Sequence, residues 1–84
     1  MPETTLAALP LGAAAQVVRL TTAGAMRRRL LDVGLTPGAA VTALSRTRRG
    51  NIAAYGIRGA VIALRRADAQ TVVVRAAEGG VTRP

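Results

Sequence analysis

Only one stretch of this chain carries a helical period. In AMRRRLLDVGLTPGAAV, residues 25–41, Met26, Leu30 and Val33 fall within about 60° of one another on a helical wheel. Thr21 and Thr22 offer capping hydroxyls before the run. Gly34 suits a left-handed cap, and Pro37-Gly38 forces a turn. The spacing predicts a helix over residues 24–33.

Everything else reads as short extended segments. AAQVVRL (14–20), AAVTALS (39–45), IAAYGIR (52–58), AVIALRR (60–66) and TVVVRAA (71–77) are rich in β-branched residues or alternate in polarity. In the first, Val18 and Leu20 alternate with Val17 and Arg19. Gly59 marks a hairpin between the third and fourth, and Gly50-Asn51 turns the basic connection RTRRGN (46–51). TTLAALPLG (4–12) reads as one helical turn and ADAQ (67–70) as a helical or 3₁₀ turn.

A parallel sheet needs a helix between each pair of strands, and a single helix cannot supply them. The expected fold is therefore mainly β: a small, strongly bent, five-stranded barrel. One α-helix is inserted after the first strand, and a short 3₁₀ turn precedes the last. The expected core is Leu20, Met26, Leu30, Val33, Val41, Tyr55, Ile57, Ile62, Leu64, Val72 and Val74. With 84 residues there is room for one core, expected over residues 1–77, with 78–84 as a tail.

The composition leaves little for catalysis. There is no His and no Cys, and the four acids, Glu3, Asp32, Asp68 and Glu78, are far apart in sequence. A nucleophile would lack its base, and a tight transition-metal site would lack its ligands. The glycines match neither phosphate-loop nor dinucleotide spacing. No catalytic, cofactor-binding or metal-binding residues are assigned, and the chain is not expected to be an enzyme. No apolar run approaches the roughly 20 residues of a membrane span, and MPETTLAALPLGAAAQ makes a poor secretory signal. With no disulfides, a cytoplasmic location is expected, without membrane insertion.

The net charge of +8 comes from twelve Arg against four acids. A basic balance raises nucleic-acid binding as a function, in the manner of a small basic barrel. Tyr55 is the only aromatic residue, however, and such barrels stack bases on aromatic side chains. No specific nucleic-acid partner is expected. Arg27, Arg28 and Arg29 spread over much of the helix circumference, as a solvated face would. Arg28 can pair with Asp32 four residues on. Arg65 and Arg66, at a strand end, can shield a sheet edge from self-pairing. Leu31 and Leu35 lie off the main stripe beside the cap. They form either a second core face or a small exposed apolar spot for a partner.

Taken together, LAALPLG, VVRL, RRRLLDVGLTPGAAVTAL and AYGIRGAVIALRRADAQTVVV resemble the ferrous iron transport protein A (FeoA) family. The likeness spans about residues 5–75, and LLDVGLTPG and IRGAVIALRRADA are its most specific strings. RTRRGN departs from relatives, which often carry proline there. The resemblance implies an SH3-like barrel and a cytosolic accessory role in ferrous iron uptake. The partner it implies is FeoB, a membrane permease with a cytosolic GTP-binding domain. The same domain type closes metal-dependent repressors, but this chain carries no winged-helix portion. On this reading Arg27, Arg28, Leu31 and Leu35 are the candidate partner-binding residues.

Overall fold

The computed structural model describes residues 2–76. It contains six strands rather than five: β1 (Glu3–Thr5), β2 (Ala14–Leu20), β3 (Ala40–Arg46), β4 (Ile52–Ile57), β5 (Ala60–Arg65) and β6 (Val72–Ala76). The additional strand is the short β1, which pairs with β6 and runs directly into a 3₁₀ turn at Leu6–Ala8. Helix α1 spans Gly24–Asp32, and the turn before the last strand is α-helical, α2 at Arg66–Ala69. All pairings are antiparallel in the order β1-β6-β2-β3-β4-β5, so the sheet bends around the core as an open barrel with β1 and β5 at its edges. The expected tail, residues 78–84, lies outside the described residues.

Two bulges bend the sheet. Val17 faces Val74 and Arg19 faces Val73, which leaves Val18 as an extra residue on β2. The expected alternation of Val18 and Leu20 against Val17 and Arg19 is corrected accordingly. Ala15 and Val17 are buried, the phase slips at Val18, and Leu20 comes back against the core. A second bulge leaves Leu44 unmatched between Ala43 and Ser45 on β3.

The core gathers Leu30, Val41, Tyr55, Ile57, Val72 and Val74, with Leu20, Met26, Ile62 and Leu64 packed partly buried against it. Val33 is the exception among the expected core residues, at 43% exposed. It is the C-cap, so the chain leaves the helical path there and the stripe ends one turn earlier, at Leu30. Leu6 and Leu9 complete the core from the N-terminal turn. Tyr55, itself buried, donates its hydroxyl hydrogen to the Leu6 carbonyl.

Candidate interaction site

Helix α1 is held by its C-terminal end. The N–H of Leu35 reaches the Leu30 carbonyl at 3.0 Å and the N–H of Gly34 reaches the Leu31 carbonyl at 3.0 Å. These are the two bonds of a Schellman cap, and Gly34 takes the required positive φ, +110°. A Cβ at Gly34 would stand 3.0 Å from Cγ2 of Ile57, so a larger residue at the helix end would press on the Ile57 side chain of β4. The N-terminal end is less constrained. Ala23 is the N-cap and makes no side-chain capping bond, while Thr21, one of the two expected caps, instead donates its hydroxyl hydrogen to the Thr71 carbonyl at 3.3 Å.

This cap decides the fate of the two off-stripe leucines. A Schellman turn brings the residue after the glycine back against the helix three residues before the cap, which here sets Leu35 against Leu30. Leu35 is fully buried, so it belongs to the core and not to a partner-binding face. Leu31 remains half-buried on the helix, next to the exposed Arg27 and Arg28. Three of the four candidate residues therefore share α1. The expected Arg28–Asp32 pair does not form; among the described residues the ion pairs are Arg19–Glu3 at 2.9 Å and Arg75–Glu3 at 4.0 Å. Arg27 and Arg28 thus present guanidinium groups without a carboxylate within 4.0 Å among the described residues.

The helix end is tied to the β4–β5 turn. Arg58 takes a positive φ of 55°, followed by Gly59 at 81°, and its guanidinium donates to the Thr36 hydroxyl at 3.1 Å. A second feature was not anticipated from sequence: a cleft of about 80 Å³ between α1 and β5, with Met26 and Val33 on one wall and Ile62 and Leu64 on the other. It adjoins a more polar cleft of about 170 Å³ where Arg29, Arg65 and Asp68 meet. The one sequence signal for it was the doublet Arg65-Arg66 at a strand end, which marks an edge but not what lies across from it.

Chemically, these surfaces are suited to binding. Among the described residues no three His, Cys, Asp or Glu side chains come together as a metal-ligating group. No helix among them is long and apolar enough to cross a membrane.

The FeoA domain family matches residues 4–76 of the sequence. The chain belongs to the FeoA family. Its structure is similar to that of an iron uptake regulatory protein (FeoA), with 25% identity and a TM-score of 0.82 over 92% of this chain and 100% of that one. It is also similar to Stenotrophomonas maltophilia FeoA, described as a prokaryotic SH3 domain protein complexed with zinc, at 29% identity and a TM-score of 0.76 over 84% of this chain and 88% of that one. A manganese-dependent transcriptional repressor shares the fold at 23% identity and a TM-score of 0.83, over 92% of this chain and 38% of that one. No protein with a curated description matches the sequence. The mainly-β architecture with its single long helix is thus the SH3-like fold of FeoA proteins.

Proposed function

We propose that this FeoA protein is a cytoplasmic accessory protein of ferrous iron uptake. Its partner is the cytosolic GTP-binding part of a FeoB-type permease, and it docks through Arg27, Arg28 and Leu31 on α1. The observation that carries the docking face is the arrangement on that helix. Arg27 and Arg28 are exposed and lack acidic partners among the described residues, and they flank a leucine that the core only half covers. An anchoring leucine ringed by guanidinium forks makes a small contact whose association is steered by charge. Arginine stems also cover apolar surface while the planar head pairs with carboxylates in two-pronged fashion. Family membership supports the iron-transport role, and the S. maltophilia FeoA is itself proposed as a ferrous iron transport activating factor.

The test is titration of the permease's isolated cytosolic domain with three forms of the protein. Leu31→Ala and Arg28→Glu should leave the melting temperature nearly unchanged and weaken binding at least tenfold. Unaltered binding by both folded variants would reduce the arginine run to a solvated face.

A further inference from the structure

We propose that the open edge of β5 is a second docking site, which accepts an extended segment of a partner protein carrying apolar residues at alternate positions and carboxylates between them. Among the described residues β5 ends the sheet and is paired on one side only, with β4. The hairpin fixes which of its backbone groups are free. Ile57 and Ala60 close the two-residue turn, and at the other end the N–H of Arg66 bonds the Asn51 carbonyl at 2.8 Å. Antiparallel pairs alternate between bonded and non-bonded. Ala60, Ile62 and Leu64 therefore bond β4, and Val61 and Ala63 direct their N–H and C=O groups to the open edge; Arg65 offers only its N–H there, because as the N-cap of α2 its C=O takes the first bond of that helix. The strand AVIAL contains no proline and no charge, the usual devices that blunt an edge, until Arg65.

Beside this edge lies the cleft already described. A strand added to β5 would sit roughly 4.8 Å from it and send alternate side chains to opposite faces. One set would enter the cleft between Met26 and Val33 of α1 and Ile62 and Leu64 of β5, which Arg29 and Asp68 also line. The other set would lie on the outer face, where Val61 is 68% exposed. Charge selects the occupant. Arg65 shares that outer face with Val61, and in the adjoining cleft Arg29 and Arg65 outnumber the one acid, Asp68; among the described residues neither arginine has a carboxylate within 4.0 Å. A segment with carboxylates supplies what they lack. A second copy of this chain would instead offer a β5 strand without a carboxylate, within a pair of chains each of formal charge +8.

This edge does not include Arg27, Arg28 or Leu31, and its test does not involve the permease. The probe is a capped octapeptide of alternating valine and glutamate, titrated into the isotopically labelled protein and followed by amide resonances. The expected result is saturable shifts at Val61, Ala63 and Arg65. Methylating alternate backbone nitrogens of the peptide should weaken binding at least tenfold, as should lysine in place of glutamate. The double variant Arg29→Glu/Arg65→Glu should weaken it to a similar degree. Ala63→Pro should abolish it, and the methylated peptide gives the same information without altering the protein. Equal binding of the methylated peptide, or shifts spread over Arg48 and Arg49 that vanish at physiological salt, would overturn the proposal in favour of unspecific charge attraction. Concentration-dependent broadening confined to β5 without peptide would assign the edge to a second copy and also overturn it.

Discussion

The hydroxyl of Tyr55 donates a hydrogen bond to the carbonyl oxygen of Leu6 across 3.3 Å, where both residues are buried. This bond fastens the 3₁₀ turn at Leu6–Ala8 to the centre of β4, some fifty positions along the chain. Tyr55→Phe keeps the ring and removes one of two donors to the carbonyl, which still accepts from the Leu9 N–H at 3.2 Å. The expected cost is about 0.5–1.5 kcal/mol in denaturant melts, the net contribution of a typical intramolecular hydrogen bond.

The same phenol makes stability depend on alkaline pH. Burial raises its pKa above the ordinary 10.0, outweighing the opposing pull of the Arg46 charge. In the unfolded chain the phenol ionises first, so the native state holds the extra proton. Stability is therefore complete below pH 10 and falls as pH rises through the folded pKa. Tyr55 is the only tyrosine, so tyrosinate absorbance in the near ultraviolet reports this group alone. It should appear at higher pH in the native protein than after denaturation, and Tyr55→Phe should lose this part of the alkaline decline.

Gly34→Ala should destabilise the protein by about 1–2 kcal/mol from its positive φ alone, with a further loss from displacing Ile57. Thermal melts of Gly34→Ala and Gly38→Ala separate the two contributions. Gly38 also has positive φ, but a Cβ there meets nothing within 4 Å. The Gly34 variant should melt at the lower temperature.

Leu35→Ala and Leu30→Ala should each cost roughly 2–5 kcal/mol, as truncations of buried core leucines do. Val33→Ala should cost well under half of that, because Val33 is already part exposed at the cleft rim. Equal losses for Val33 and Leu30 in urea titrations would show that the helix packs on a different face.

Twelve arginines should draw polyanions at low salt by releasing condensed counterions. Filter binding with heparin, single-stranded DNA and RNA should show comparable affinities that disappear by physiological salt. A complex with one nucleic acid that survives such salt would point to a small basic nucleic-acid-binding barrel instead.

Local chemistry was enough to determine the elements. β-branched composition marked β2 at Ala14–Leu20, and the 3.6-residue stripe with Gly34 behind it marked α1, ending one residue before the expected boundary. The lack of His and Cys likewise bounds the chemistry from the sequence alone. What the sequence left open is what depends on phase and on which elements meet. The bulge at Val18 shifts the inward face of β2 by one residue, and no periodicity reports where an alternation slips. Leu31 and Leu35 look alike as off-stripe leucines. The Schellman turn folds Leu35 under the helix end and leaves Leu31 half outside, because the cap reverses the chain direction. Thr21 reads as a cap in the sequence, but the approach to β6 places the Thr71 carbonyl within its reach. The cleft beside β5 belongs to neither α1 nor the strand alone. It exists because the sheet stops at β5 and α1 lies beside it, a relation between segments far apart in the chain that no local pattern encodes.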